Sequence, residues 1–161
     1  MSESIELKPQ KQLTDINVLS DLLEFAMADF EKVCKNDNFQ VNMGIWLNHY
    51  PDDPPEVCYG CLSGAVLYQE KMFKIPEDNF LDVHPNYETA KVANRMRAIN
   101  HLRKGAIACA AEEMNIKLPE GLPCWLDVDD YNYDFTKQEN FDGKFGKCMR
   151  DLVSYLRGKG L

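Results

Sequence analysis

Two cysteines three residues apart, Cys58 and Cys61, have the most chemically suggestive spacing in the chain. A CxxC pair supplies two of the four donors that zinc requires. His49 precedes Cys58 by nine residues, so one reading is a zinc site of Cys58, Cys61 and His49, completed by Cys124 or His84. No second CxxC, CxxH or HxxxH follows, and His49, His84 and His101 are scattered singly. A second reading is redox, since a thiol in a first helical turn is acidified by the helix dipole. Thioredoxin-like sites, however, follow a strand in a βαβ unit, and the sequence around Cys58 does not read that way. In the third reading, which the local pattern favours and which needs no cofactor, the pair opens a buried helix. Its small residues Gly60, Ser63, Gly64 and Ala65 would let a neighbouring helix approach closely.

A second chemical grouping is the stretch DVDDYNYD, residues 127–134, in which Asp127, Asp129, Asp130 and Asp134 alternate with Tyr131 and Tyr133. Carboxylates at this density can hold Mg²⁺ or Ca²⁺. The EF-hand register fails: counted from Asp127, position five is Tyr131 and position twelve is Gln138. A solvated loop or a protein contact surface accounts for the same residues, because tyrosine is enriched at interfaces. With Asp52, Asp53 and Glu56, these residues form the expected acidic binding surface. Lys91, Arg95, Arg97, Arg103 and Lys104 make one segment basic, which suits a solvated face or, alternatively, contact with nucleic-acid phosphates. No GxGxxG, P-loop, GxSxG or HExxH pattern occurs, and His101 has no recognisable triad partner, so the sequence leans away from an enzyme.

The elements that must carry these residues read as mostly helical. Ile16, Leu19, Leu23, Ala26, Phe30 and Val33 recur at steps of three and four, widened by Leu22 and Cys34. That predicts a helix of about six turns, N-capped by Thr14 or Asp15 and closed at Asn36-Asp37-Asn38. Residues 39–48 alternate at period two and predict one short extended or β segment, with residues 124–133 as its only candidate partner. Asp53 followed by Pro54 and Pro55 predicts a helix start, the helix then running to about Met72. Residues 73–86 read as a connector. Val92, Met96, Ile99 and Leu102 predict a helix between Asn86 and Gly105. AIACAAEEMNI predicts a short helix ended before Pro119, and Phe145, Met149, Leu152 and Leu156 a last one over roughly 141–157. The expected fold is mainly α: a single-domain bundle of about five helices over residues 13–161, behind a flexible tail over residues 1–12.

At 161 residues the chain can bury a core without staples. It has no apolar run near the ~20 residues of a membrane span and no signal-like N-terminus, so a cytoplasmic protein with reduced thiols is expected. The formal net charge of −8 is uneven: residues 1–85 hold 15 Asp and Glu against 6 Lys and Arg, and residues 86–161 hold 11 against 12. An acidic first half disfavours direct binding to phosphate backbones and suits a basic-surfaced protein partner.

Trp46, the run Cys58-x-x-Cys61-Leu62-Ser63-Gly64-Ala65-Val66, and Ala98-Ile99-Asn100-His101-Leu102-Arg103-Lys104-Gly105 resemble the landmarks of small proteins encoded by tailed bacteriophages and prophages. In that family a tryptophan precedes a CxxCLAGAV-like segment and an ALxxLRxG-like segment follows; Ser63 stands where alanine is usual. The resemblance covers about the middle half of the chain. It implies a phage accessory protein acting inside a bacterium; joined to the acidic first half and the absence of catalytic motifs, it leads to the expectation of one that binds a host or phage protein, such as a defence or nucleic-acid-processing factor. It carries no known reaction or ligand. The alternatives are a small metal-binding or thiol-dependent enzyme built on Cys58 and Cys61 or on the residue 127–134 carboxylates, and a nucleic-acid-binding accessory protein.

Overall fold

The computed structural model describes residues 12–42, 47–49, 52–54, 57–74, 84–85, 90–127 and 143–161. Among them are a 3-10 turn, Leu13–Asp15, and five α-helices: α1 (Leu19–Cys34), α2 (Leu62–Gln69), α3 (Ala90–Leu102), α4 (Ile107–Glu113) and α5 (Lys144–Gly158). The chain is mainly helical, as its periodicity predicts. Short strands complete it: β1 (Phe39–Val41), β2 (Leu47–Asn48), β3 (Cys58–Gly60), β4 (Phe73–Lys74) and β5 (His84–Pro85). Residues 1–11, most of the expected tail, lie outside the described residues. Buried side chains from Leu13 to Leu161 form one contiguous core.

Helix α1 is the hub, packing on α2, α3 and α5. Its predicted stripe is buried from Leu19 to Cys34, and Phe30 meets Phe145 of α5 edge-on at 6.0 Å. The helix starts at Leu19, however, not at Thr14 or Asp15, and this shortening has a tertiary cause. Ile16 and Val18 are extended, and the Ile16 carbonyl, which an earlier start would have bonded to the Ser20 amide, is claimed by Arg95 of α3. It accepts Arg95 Nε–H at 2.9 Å and Nη2–H at 2.6 Å. The Ser20 amide turns instead to the Leu161 main-chain oxygen at 2.9 Å, and the Ser20 hydroxyl donates to the same oxygen at 3.1 Å. A carbonyl from the far end of the sequence therefore does the work of a capping side chain, which Val18 cannot provide.

The largest departure from the sequence pattern lies at residues 53–61. The prolines start only a turn, closed by the Val57 amide donating to the Pro54 carbonyl at 2.9 Å. Residues 58–60 are a strand, central in a three-stranded sheet of order β1-β3-β2. It runs parallel to β1 (Phe39 opposite Cys58) and antiparallel to β2 (Leu47 opposite Gly60). The alternating segment 39–48 thus contributes two strands, and their partner is residues 58–60 rather than 124–133. Helix α2 begins only after Cys61, and no residue before Cys61 belongs to it. Within the expected connector, β4 pairs antiparallel with β5.

Helix ends follow one recurrent geometry. At α3 the Ala106 amide reaches the His101 carbonyl at 3.0 Å and the Gly105 amide the Leu102 carbonyl at 2.9 Å, with Gly105 at φ 81°. This is the Schellman pattern, in which a left-handed residue closes the helix, and glycine adopts that conformation without strain. The same pairings close α2 with Lys71 at φ 57° and α4 with Asn115 at φ 54°.

The Arg95 fork organises the first turn of the chain, so its loss should be felt globally. Arg95→Met should cost about 2–3 kcal/mol, because it strips the buried Ile16 carbonyl of its donors. Arg95→Lys should cost less, since it keeps the charge but not the paired donation. Urea denaturation measures both, and a loss for Arg95→Met below about 0.5 kcal/mol would contradict this account.

Candidate functional site

Of the residues the sequence marks as chemical, the cysteine pair is the most deeply placed. Cys58 sits on β3 and Cys61 directly before α2, both fully buried. They are therefore a strand residue and a helix N-cap residue, not two residues of a helix's first turns. Burial pushes the Cys58 thiol up to about 11. It also raises Cys61, although the Gly64 and Ser63 amides and the Arg103 guanidinium pull the other way. A thiol kept neutral by desolvation is a poor nucleophile, whatever its spacing. His49, also buried, follows β2 directly and holds its Nδ1 2.7 Å from the Val57 carbonyl. A carbonyl only accepts, so Nδ1 carries the hydrogen. Cys124 lies elsewhere, exposed beyond α4. Among the described residues no group of three or more His, Cys, Asp or Glu is placed to hold a metal ion.

The basic segment divides as well. Arg95 is buried and bonds to Ile16, the Asn17 side chain and the Lys91 carbonyl. Arg103 is buried and donates to Asn100 Oδ1 at 2.9 Å. Arg97 pairs with Glu113 of α4 at 3.0 Å and bonds to Asn94. Three of the five positive side chains are thus committed to the protein itself. Beside the Arg97–Glu113 bridge, the α3–α4 hairpin opens a shallow cleft of about 400 Å³ lined by Asn94, His101, Cys109, Glu112 and Glu113. Periodicity alone leaves His101 isolated; the hairpin sets it in one cleft with an exposed thiol.

Of the acidic surface, Asp52 is exposed and Asp53 half-buried between β2 and β3, and Asp127 is exposed after α4. Trp46, Glu56, Asp129, Asp130, Tyr131 and Tyr133 lie outside the described residues. The structure adds a neighbour that the sequence reading passes over. Residues 114–127 return from the end of α4 to its beginning as a strap. Ile116, Leu118, Leu122 and Leu126 pack on the core, and Gly121 at φ 81° turns the chain between them. The strap is pinned twice, by the Ala108 amide donating to the Cys124 carbonyl at 3.0 Å and the Leu126 amide donating to the Gly105 carbonyl at 2.8 Å. The first of these bonds also caps α4, whose own N-cap residue is alanine. Between the two pins stands Trp125, 59% exposed. A rigid backbone thus presents a large aromatic side chain to solvent, one residue from Leu126 and two from Asp127.

Thiol labelling tests these placements. In the native protein a thiol reagent should modify Cys109 and Cys124 first, both being exposed, and leave Cys58 and Cys61 untouched until the chain is unfolded. Peptide mapping that finds Cys58 or Cys61 labelled as fast as Cys109 would contradict the buried placement.

No family model, no curated protein and no solved structure matches the chain, so its function rests on its own residues.

Proposed function

We propose that the chain works by protein–protein binding, with the strap around Trp125 and Asp127 as its contact surface and a basic-surfaced protein as its partner. The observation that carries this reading is Trp125, exposed on a backbone pinned at both sides. Among the described large hydrophobics only Val18, at 37%, is exposed besides Trp125, and it is much less so. At interfaces tryptophan is the side chain most enriched among those whose truncation costs about 2 kcal/mol or more. A pinned backbone loses little further entropy on binding, so more of the burial free energy appears as affinity. Asp127 beside it, followed in the sequence by Asp129 and Asp130, supplies negative charge for a basic rim and for steered association. Direct nucleic-acid binding has less support, because Arg95, Arg97 and Arg103 are occupied within the protein. Among the described residues no helix is long and apolar enough to cross a membrane. The bacterial-cytoplasm setting, and a host or phage factor as the target, come from the sequence resemblance alone.

Affinity capture from bacterial lysate, with Trp125→Ala and Asp127→Lys as matched baits, tests the proposal. A partner held by the natural chain should be lost with Trp125→Ala, its affinity falling about 30-fold or more. Asp127→Lys should weaken capture, and about 0.5 M salt should slow association. The folding stability of Trp125→Ala should stay within about 0.5 kcal/mol of the natural chain, since the side chain makes little of the core. Capture unchanged by Trp125→Ala would sink this surface, and retention on heparin with no protein captured would favour the nucleic-acid reading instead.

A further inference from the structure

The cleft of the α3–α4 hairpin has part of its wall fixed by one side chain. Arg97 donates through Nε to Glu113 Oε2 at 3.0 Å and through Nη2 to Asn94 Oδ1, so its guanidinium holds two of the residues that line the cleft. The bridge balances the charge of Glu113 while engaging only one of its carboxylate oxygens. Glu112 differs: it is exposed, and among the described residues no cation pairs with it. With His101 neutral, the cleft therefore keeps one uncompensated negative charge. Its volume of about 400 Å³ lies within the roughly 300–1,000 Å³ of clefts that take small ligands.

The place matters as much as the charge. Cys109, on one wall of the cleft, follows Ala108, whose amide holds the Cys124 carbonyl at 3.0 Å. His101, on the other wall, stands one turn before Gly105, whose carbonyl holds the Leu126 amide at 2.8 Å. The backbone of Trp125 is thus anchored at the same end of the hairpin as the cleft. Glu112 lies one helical turn beyond Ala108, or ~6 Å along α4. A partner segment of a few extended residues spans that distance, at ~3.3 Å per residue.

We propose that the α3–α4 cleft receives an arginine side chain of the partner, beside the contact made by Trp125. This rests on the protein-binding reading above and names the partner's chemistry at that surface. The uncompensated Glu112 carboxylate favours a cation and repels an anion. Arg97, the cation beside the cleft, has its Nε and Nη2 already committed, so it offers an anion little in return. Among cations the guanidinium fits better than an ammonium. It is less strongly hydrated, and its planar fork donates to a carboxylate through two parallel bonds.

N-acetyl-arginine amide, with the uncharged N-acetyl-citrulline amide as its near-isosteric control, probes the cleft directly. Titration followed by backbone amide chemical shifts should give saturable changes at His101, Cys109, Glu112 and Glu113 with the arginine compound and none with the citrulline one. Glu112→Gln should weaken that binding about fivefold, and its exposed position leaves the fold intact. Trp125→Ala should leave it unchanged, because the cleft holds the probe without the tryptophan. Absence of saturable shifts, equal shifts with citrulline, or equal affinity in Glu112→Gln would overturn the proposal. A partner whose capture falls with Trp125→Ala but not with Glu112→Gln would overturn the cleft alone and leave the Trp125 surface standing.

Discussion

The carbonyl of Ile16 is the atom on which the arrangement of helices turns. Left to local preference it would accept the Ser20 amide and extend α1 by a turn. Arg95 takes it instead with two donors of its guanidinium. The displaced Ser20 amide then requires an acceptor, which the Leu161 main chain supplies. One arginine on α3 thereby sets where α1 begins and gives the last residue a docking point. Because α1 packs on α2, α3 and α5, the placement of its first turn is also the placement of the core around it. A buried arginine is costly, but all three of its guanidinium nitrogens have acceptors, and the fork geometry lets one side chain satisfy several carbonyl lone pairs at once.

Much of the helical framework is legible in the chain, because the periodicity records which face is buried. Leu19 to Val33, Val92 to Leu102, and Phe145 to Leu156 each show the 3.6-residue stripe, and each is a helix buried on that stripe. What the stripe cannot record is an event decided by partners far away in sequence. Residues 58–60 illustrate this. Locally they follow an acidic residue and two prolines, a fair start for a helix. But the Cys58 amide is taken by the Asn38 carbonyl at 2.8 Å, and the Gly60 carbonyl by the Asn42 amide at 2.9 Å, which holds the chain extended until Cys61. The helix is thus delayed by neighbours in the sheet, not by its own residues.

The site shows the same division. Spacing draws attention to Cys58 and Cys61, yet spacing says nothing about solvent, and it is burial that leaves these thiols neutral. Trp125 runs the other way. In sequence it is an apolar residue between Cys124 and Leu126, with nothing to separate it from the core set. Gly121 and Pro123 argue against a helix there, but nothing in the local pattern says that Trp125 rather than Leu126 faces out. Asp127 was legible as an exposed acid because a carboxylate is seldom buried without partners.

Arg95 and Asp29 show why two buried charges need not have the same consequence. Both are withdrawn from water against the same core, and both have their ionised form disfavoured by burial. For Arg95 the surrounding acceptors offset that cost, the group stays charged, and its bonds fix the geometry. For Asp29 the nearest cation, Lys32 Nζ at 3.9 Å, offsets little of that cost, and burial pushes the carboxyl up to about 8. Satisfaction by fixed donors and acceptors does not change with the medium, whereas satisfaction by a proton follows its activity. A buried charge with a complete set of partners is therefore a structural fastener, and one without them settles into the core most readily in its protonated form.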